Sequence, residues 1–565
     1  MDSTSQHNEI STDLLIIGGG AAGLWAAITA LEQAPELDVT IIEKAHVHRS
    51  GCLAMGLNAI NLHLGENASP QNYVDYVAAD NYGVVRRDLL HSIARNADRA
   101  APKLESLGIP FPKDPHGNYV RRSARSIVMH GERVKPTLAQ RALELGARVF
   151  NHTAVTNLIQ GDDGGINGAQ GLHLHSRSVI RVSARATFIT TGGASGIYKP
   201  NSPGSARKKT WYCPYNAGGG LALGIEAGAE MTSFEMRFIA LRTKDVIAPT
   251  GTLAFLPQSE QLNNRNEPYL DLRKRQLGRG LTTSERLLAT IDEHRQGNAP
   301  CVVTIDQLSE AEYDELIRSY LQMAPAIVLL LKETPDADEK RIEVTGSEPY
   351  VNGGHGMGGF WVDINRRTSL PRLYAAGDAA GGAPKKYLSG AFAEAQIAVE
   401  DALQAIPATR LPASEDRMFS ASETRGETRH GDLTPYQIEE RLQKIMDEYA
   451  GGASSFYETS EGKLQKARAH LASLEQSLNR IRLEHKYDML DTIDMRHRIL
   501  TAQTLVEHLT ARRESRWPCY QSRADFPVRN DVEYKCFINS KKSQNGQIQC
   551  FQRELEPPFS LLGKD

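Results

Sequence analysis

The sequence predicts an α/β protein in which a Rossmann-like dinucleotide-binding domain is interrupted by an inserted α+β domain and followed by a helical domain. Three observations support this prediction. An apolar run enters a glycine-rich turn near residue 18, a charged stretch with fewer glycines separates that turn from a later one, and residues 434–515 repeat apolar side chains at helical spacing. Alternating strands and helices over 8–230 are typical of a parallel sheet.

The first glycine-rich turn has the pattern of a dinucleotide-binding site. The stretch LLIIGGGAAG predicts a strand buried on both faces, followed by G-x-G-x-x-G spacing in Gly18, Gly20 and Gly23. These glycines permit a tight turn, close approach of a pyrophosphate and close packing of the next helix. A second strand, VTIIE, ends in Glu43, which can accept hydrogen bonds from a ribose. A lone glycine turn is common, but strand, helix, strand and acid in this order favour NAD or FAD.

The composition argues against several classes of protein. The chain has 565 residues, enough for roughly three or four domains, and its net charge of −3 argues against a broad basic surface for nucleic acid. No apolar run reaches the roughly 18 residues of a membrane span. The polar start MDSTSQHNEISTD lacks the apolar core of a secretion signal, so we expect a soluble, cytoplasmic protein. None of the six cysteines forms a C-x-x-C pair, so we expect no iron–sulfur cluster held by this chain alone.

Changes in composition along the chain predict its domain boundaries. The charged, glycine-poor stretch indicates an insertion, and a polar, irregular stretch before the helical repeats indicates a linker. The helical repeats predict a bundle, most often a structural or docking element. We predict a dinucleotide-binding domain at 1–235 and 349–405, a capping domain at 236–348, a linker at 406–433, a helical domain at 434–515 and an extension at 516–565.

Two later segments favour FAD. ATFITTGGASG at 186–196 and RLYAAGDAAGG at 372–382 are apolar strands that enter glycine turns, and the second places Asp378 where it can bond a ribityl or phosphate-linked hydroxyl. With the first turn, they resemble the three FAD contacts of the fumarate reductase and succinate dehydrogenase flavoprotein superfamily. The resemblance implies an FAD-binding domain with an inserted α+β capping domain and a carboxyl-terminal helical domain. The residues predicted to contact FAD are Gly18, Gly20, Ala22, Gly23, Glu43, Lys44, Ser50, Gly51, Gly192, Gly193, Gly377, Asp378 and Ser389.

A narrower resemblance covers most of the chain. Its segments are RSGCLAMGLNAINLHLG, VMHGERVKP, TWYCPYNAGGG, FEMRFIALRTKD, GGHGMGGFWVD, RWPCYQSRADFP and YKCFINSK. All of them resemble the alpha subunit of dissimilatory adenylylsulfate reductase. In that family a separate small subunit with two [4Fe–4S] clusters feeds electrons to the flavin. The resemblance therefore implies a ferredoxin-like iron–sulfur partner and a heterodimer.

Position 51 distinguishes this chain from much of the wider superfamily. Succinate dehydrogenases carry a histidine there that is bonded covalently to the flavin, whereas this chain has Gly51 in RSGCLA. We therefore predict that FAD is bound noncovalently and is released intact on acid precipitation.

The resemblance also implies five active-site residues, which are Arg242, His355, Asn61, Trp211 and Glu132. An anionic substrate needs fixed positive charge, which the Arg242 guanidinium would supply as a fork of donors. The alternative for this arginine is a surface salt bridge. His355 lies in the loop GGHGMGG, where backbone can approach a ligand, and an imidazole can serve as an anion-binding cation or as an acid.

The other three residues have alternatives of similar weight. Asn61 can orient the substrate or donate to a developing negative charge. Trp211 is either a wall of the pocket or a core residue. Glu132 either acts in the site, or caps a helix or pairs with Arg133 or Lys135.

Three functions remain open on the sequence. The first is adenylylsulfate reduction to sulfite and AMP, or its reverse. The second is a fumarate reductase or succinate dehydrogenase-type flavoprotein for another small anionic substrate, although an HPTG-type segment is not visible around 234–251. The third is an electron-transfer subunit without a substrate site, which the retained Asn61, Arg242 and His355 disfavour. The segment APTGTLAFLPQ at 248–258 is poorer in bulky aromatics than its counterpart in adenylylsulfate reductases, so we expect the adenine grip to differ.

Overall fold

The structure is a computed structural model of the chain. It describes residues 8–61, 69–123, 125–201, 210, 212–244, 259–277, 281–323, 328–329, 331, 341–409, 431–485, 487–517 and 522–555. Residues 410–430 of the predicted linker and the whole segment 248–258 lie outside the described residues.

Strands and helices are interspersed through the first part of the chain, without the regular alternation that the sequence predicted. In order they are β1 (Asn8–Ile17), α1 (Ala21–Gln33), β2 (Val39–Ile42), β3 (Ala59–Asn61), α2 (Pro70–Asp80), α3 (Arg87–Ala97), α4 (Ala100–Ser106), β4 (Arg121–Ser123), β5 (Ser126–Val128), α5 (Val134–Glu144), β6 (Arg148–Phe150), β7 (Thr153–Gln160), β8 (Ile166–His173), β9 (Val179–Ile189), α6 (Gly219–Glu226) and β10 (Met231–Thr232).

The remaining elements fall into an inserted segment, a return to the first domain, and a helical and carboxyl-terminal part. They are β11 (Leu241–Thr243), β12 (Gln261–Leu262), α7 (Tyr269–Leu277), α8 (Thr283–Arg295), β13 (Cys301–Thr304), α9 (Glu310–Met323), β14 (Arg341–Gly346), β15 (Gly359–Phe360), β16 (Leu373–Ala375), α10 (Tyr387–Ala405), α11 (Pro435–Tyr449), β17 (Glu458–Thr459), α12 (Glu461–Ser477), α13 (Asp488–Ala511), β18 (Ser522–Arg523), α14 (Asp531–Tyr534), β19 (Cys536–Lys542) and β20 (Ile548–Glu554).

A seven-stranded sheet forms the centre of the first domain. Six of its strands follow the order β6-β2-β1-β9-β8-β7. The seventh, β16, pairs with the carboxyl end of β9. β1 is parallel to both neighbours, with Leu14 opposite Val39 on one side and Ala186 on the other. Because both faces of β1 are covered, Leu15 and Ile16 have no solvent exposure, which explains the unbroken apolar run. The structure confirms the predicted fold class.

The helix α1 packs closely on the strand that precedes it. Gly23 permits this contact, because a Cβ atom at this position would lie 2.0 Å from the carbonyl oxygen of Gly18. On its other side, α1 meets α10 through Trp25 and Phe392, whose rings stack with centroids 4.1 Å apart. These contacts fix the start of α1 at the carboxyl end of β1.

Residues 241–346, here called the cap segment, form a separate layer. An antiparallel sheet of order β11-β14-β13-β12 packs with α8 and α9 around its own core, which includes Leu287, Val303 and Tyr320. The chain leaves the first domain after β10 and returns at β15, and these two strands pair with Met231 opposite Phe360. The cap segment is therefore an insertion, because the strands on either side of it belong to one sheet.

The carboxyl-terminal part returns to the first domain. α11, α12 and α13 pack through Leu442, Leu464 and Leu505, which are fully buried. β19 then pairs with β10, placing Ser540 opposite Met231. None of the helices within the described ranges combines the length and the hydropathy needed to cross a membrane.

A buried ionic network fixes the carboxyl-terminal strand. Arg512, at the end of α13, donates to Glu235 at 2.8 Å and to Glu514 at 2.9 Å, and all three side chains have no solvent exposure. The same guanidinium donates to the carbonyl oxygens of Tyr534 and Cys536, at 2.8 Å each. Every charge in this network has a partner, as burial of ions requires.

Candidate active site

A cleft of about 340 Å³ opens where the parallel strands β1, β2, β9 and β16 end, at the same edge of the mixed sheet. Ligands of open α/β sheets bind at this edge, outside the carboxyl ends of the strands. The structure brings most of the sequence-predicted residues to this cleft. Those that line it are Gly18, Gly20, Ala22, Glu43, Lys44, Ser50, Gly51, Asn61, Gly192, His355, Gly377 and Asp378.

The first glycine turn leaves open backbone beside the cleft. Gly18 has φ of +102°, and a Cβ atom there would lie 2.8 Å from the carbonyl oxygen of Thr190. The Thr190 hydroxyl donates to the Gly18 carbonyl at 2.7 Å, which ties β1 to β9. Gly20 precedes α1 and no side chain caps the helix, so the first N–H groups of α1 can bind a phosphate.

The carboxylate of Glu43 is held by backbone groups on both sides of the turn. It has 7% exposure and accepts hydrogen bonds from Gly19 N–H at 2.9 Å and from Ala45 N–H at 2.8 Å. Lys135, which the sequence analysis did not select, is buried and donates to the carbonyl oxygen of Gly19. Burial lowers the pKa of Lys135 to about 8, against the opposing effect of Glu43. Lys135 lies in the matched segment VMHGERVKP, which was the only sequence signal for it.

Tyr212 connects the second and third glycine turns. Its hydroxyl donates to Asp378 at 2.6 Å and accepts a hydrogen bond from Gly193 N–H at 3.1 Å. Burial, and then the charge of Asp378, raises the pKa of Tyr212 well above its usual range, so the phenol stays protonated as a donor. The turn that carries Asp378 is fixed from behind, because Gly377 N–H donates to Glu394 at 3.0 Å.

Two hydroxyl groups in the cleft indicate that a ligand binds there. The Oγ atom of Ser50 and the Oγ1 atom of Thr191 are buried and have no hydrogen-bond partner among the described residues. Buried hydroxyls without partners are rare in folded proteins, and a ligand is one way to satisfy them. Next to Ser50, Gly51 has φ of +73° with open space around its Cβ position. Open backbone at the glycine turns and an acid after β2 are features of a dinucleotide-binding site.

His355 and Asn61 lie in the same cleft as the glycine turns. The His355 ring is half-buried between Phe238 and Tyr387, with centroid distances of 4.9 and 5.0 Å. Burial lowers the pKa of His355, and Asp378 opposes this shift only in part, so the imidazole is neutral at pH 7. Asn61 ends β3 and is partly buried. Both side chains can donate hydrogen bonds into the cleft.

Other predicted residues do not reach the lining of the described cleft. Arg242 lies on β11 with no exposure, and its Nη1 atom is 3.4 Å from Glu348 Oε2, so its ion pair is buried rather than on the surface. Glu132 is exposed in the turn before α5, and Trp211 lies outside the described residues. Gly23, Gly193 and Ser389 are buried behind the lining. The roles of all these residues stay predictions.

The cleft also has lining residues that the sequence analysis missed. Ile493, Asp494 and His497 come from α13, and their helical spacing there gave no sign of a ligand. Burial, and then Cys213 and Asp378, raises the pKa of Cys52 well above its usual range, so this thiol stays protonated. Within the described part of the chain, no group of three or more His, Cys, Asp or Glu side chains is arranged to hold a metal ion.

Two family models match the chain. The FAD binding domain model covers residues 13–249, and the model for the fumarate reductase flavoprotein C-term covers residues 439–557. The first match contains the glycine turns after β1 and β9, and the second contains α13 and the carboxyl-terminal strands.

Similarity to individual proteins extends over nearly the whole chain. The alpha subunit of adenylylsulfate reductase from Megalodesulfovibrio gigas is 28% identical, with 94% of this chain and 93% of the relative covered. The solved structure of adenylylsulfate reductase from Archaeoglobus fulgidus has a TM-score of 0.90 at 30% identity and covers 98% of each chain. A quinol fumarate reductase subunit from E. coli has a TM-score of 0.82 at 20% identity, which is a likeness of fold.

The geometry of Gly20 makes the FAD assignment testable. We expect Gly20→Ala to lower FAD affinity at least about tenfold, because the methyl group enters the space that the pyrophosphate needs. The unfolding midpoint of the FAD-free protein should stay unchanged, since the new Cβ atom would be 3.6 Å from its nearest neighbour. Fluorescence titration with FAD and thermal unfolding measure the two quantities. As a matched comparison, Gly23→Ala should lower both the FAD affinity and the unfolding midpoint of the FAD-free protein. Normal FAD affinity in Gly20→Ala would contradict the assignment.

The lowered pKa of His497 leads us to expect a loss of stability in mild acid. Burial lowers the pKa of His497 to about 4, whereas an unfolded histidine has a pKa of about 6.5. Because the unfolded state binds the proton first, the free energy of unfolding should fall as the pH drops from about 6.5 towards 4. Denaturant unfolding at pH 7.5 and pH 5 measures this fall in the free energy of unfolding. The fall should be smaller in His497→Gln than in the wild type. His116→Gln, at an exposed position, is the control. An unchanged fall in the His497 variant would show that other groups cause it.

Proposed function

Because this chain belongs to the adenylylsulfate reductase alpha-subunit family, within the fumarate reductase and succinate dehydrogenase flavoprotein superfamily, we propose that it interconverts adenylylsulfate with sulfite and AMP. The chain is an oxidoreductase that depends on noncovalent FAD. Gly51, which has no side chain to bond the flavin, agrees with this mode of binding. In the reductive direction adenylylsulfate gains two electrons and the bond between sulfur and the phosphate oxygen breaks, and the reverse direction is the oxidation of sulfite.

The observation that carries this proposal is the shared location of two sets of residues. Asn61 and His355, implied by the resemblance to act on the substrate, line the same cleft as the glycine turns for FAD. FAD, when bound, supplies a carrier that exchanges electron pairs with the substrate and single electrons with a redox partner. The cleft therefore brings substrate-binding groups and the redox cofactor together.

The side chains around His355 suit an anionic, oxygen-rich substrate. The neutral imidazole N–H and the Asn61 amide can donate to sulfate or phosphate oxygens without a buried positive charge of their own. Phe238 and Tyr387 pack on the imidazole from two sides, which orients it. Asp378 lies close enough to influence the His355 pKa and so links the substrate end to the third FAD turn.

We also propose that Arg242 contributes positive charge at the substrate end from the cap segment. Its guanidinium is paired with Glu348, which also accepts hydrogen bonds from the Tyr350 hydroxyl and from Asn201 N–H. Glu348 thus shares its charge among several donors, so part of the Arg242 field remains available to an anion nearby. The family resemblance of the segment FEMRFIALRTKD supports this role.

An iron–sulfur protein is the electron partner that we propose. The Megalodesulfovibrio gigas relative is named as a subunit, which supports a second chain. The six cysteines of this chain form no C-x-x-C pair, so we expect any clusters to come from such a partner. Protein purified without the partner should therefore contain FAD but no stoichiometric iron or sulfide.

A direct assay tests the proposed reaction. Purified protein with a reduced artificial electron donor should convert adenylylsulfate to sulfite and AMP, and fumarate should not be reduced at a comparable rate. Both substrates should be tried in parallel, with donor oxidation and product formation measured. Activity on fumarate alone would replace the proposed substrate and leave the FAD assignment intact. Activity on neither, with FAD bound, would favour an electron-transfer subunit.

Arg242 and Glu348 provide a sharper test of the substrate end. Arg242→Lys keeps a cation beside Glu348, so FAD content and the unfolding midpoint should stay near wild type. The value of kcat/KM should nevertheless fall about 100-fold, because an ammonium cannot reproduce the planar fork of donors. Arg242→Ala is less informative, since removing the counter-charge of a buried carboxylate costs about 3–5 kcal/mol of stability.

The control for this experiment is Glu348→Gln, which weakens the pair but retains Arg242. We expect Glu348→Gln to lower the unfolding midpoint, and to lower kcat/KM much less than Arg242→Lys does. If Arg242→Lys keeps normal kcat/KM with normal FAD content, Arg242 has a structural role only.

A further inference from the structure

One face of α13 covers the end of the cleft that lies beside Glu43. Asp494, His497, Arg498 and Thr501 follow the i, i+3, i+4, i+7 spacing, so they share one side of the helix. Asp494 and His497 line the cleft directly. The helical segment thus contributes part of the wall around the cofactor cleft.

A partly buried ion pair joins this helix face to the first domain. Lys44 Nζ lies 2.8 and 3.1 Å from the two carboxylate oxygens of Asp494 and also donates to the carbonyl oxygen of Tyr215 at 2.7 Å. The Asp494 side chain is 5% exposed and that of Lys44 is 28% exposed. Because one partner is almost fully buried and the bond is charge-assisted, the pair is stronger than an ordinary surface salt bridge.

Two neighbouring residues fix the helix in this position. Arg498 is buried and donates to the carbonyl oxygens of Ser195 at 2.9 Å and Pro214 at 2.7 Å. His497 packs at the start of α6, where a Cβ atom on Gly219 would lie 3.3 Å from its Nδ1 atom. The imidazole therefore lies between its own helix, α13, and the start of α6, beside the cleft.

The covered end of the cleft corresponds to the adenosine half of a dinucleotide. Glu43 directly follows β2, and an acid at this place bonds the ribose next to adenine. Lys44 is the next residue, so its partner Asp494 lies over the same half. Ile493 and the neutral ring of His497 offer apolar surface and hydrogen-bonding nitrogen atoms, which suit a flat, uncharged base.

We propose that α13 forms the outer wall of the adenosine site, and that the Lys44–Asp494 pair holds this wall closed and slows the release of FAD. The helical segment is then part of the cofactor site as well as a structural element. This inference depends on FAD binding and is independent of the proposed substrate, because its test measures only flavin binding.

The experiment compares FAD with FMN, which has the same isoalloxazine and ribityl phosphate but lacks the adenosine monophosphate. In the full-length protein, Asp494→Asn should raise the rate of FAD dissociation about tenfold, measured by the fluorescence of released flavin. The FAD-free protein titrated with FMN should show an unchanged dissociation constant. Lys44→Met should resemble Asp494→Asn, and the double variant should add little, because both changes break the same pair.

Glu507→Gln is the matched control, since it also removes an α13 carboxylate from an ion pair. Glu507 pairs with Arg468 at 2.7 Å on the exposed side of the bundle and should affect neither flavin. His497→Ala tests the wall without breaking the ion pair, and should weaken FAD but leave FMN unchanged. Unaltered FAD release in Asp494→Asn, or equal loss of FAD and FMN in either variant, would overturn the proposal.

Discussion

The contact between the turn after β1 and Thr190 after β9 is the constraint on which the site depends. The two strands are parallel neighbours, so their ends emerge side by side, and Gly18 must pass the Thr190 carbonyl without a side chain. This approach directs the start of α1 at the cleft and leaves its first N–H groups open. Glu43 then fixes the turn from the other side through Gly19. The glycines are thus needed for contacts within the protein as well as for the cofactor.

Buried charges hold the cleft in shape from behind. Glu394, with no exposure, accepts from Gly377 N–H at 3.0 Å and from Lys386 at 2.8 Å, which fixes the turn carrying Asp378. Lys135 plays a similar part beneath Gly19. None of these three charged side chains lines the cleft. They set the backbone positions that a ligand meets.

Local sequence predicted what is built from consecutive residues. The apolar strand, the glycine spacing and Glu43 all belong to one short unit, so their pattern was sufficient to predict the turn. Asp494 was not predictable in this way, because it meets Lys44 across 450 residues of chain and its helix carries no motif. The partner of Arg242 also escaped prediction, because Glu348 is 106 residues away in the sequence and no local pattern joins the two. This tertiary pair makes the burial of the arginine acceptable.

The pairing of β19 with β10 has a consequence for the order in which the molecule is completed. Asn539 on β19 bonds Glu230 beside β10, although 309 residues separate them. The strand β10 is therefore synthesised long before its neighbour β19. One edge of β10 stays unpaired while the ribosome synthesises the cap segment and the helical segment. Such long-range closure slows folding and leaves that edge open to incorrect pairing. Correct assembly of the first domain thus depends on a residue that leaves the ribosome 309 positions after Glu230.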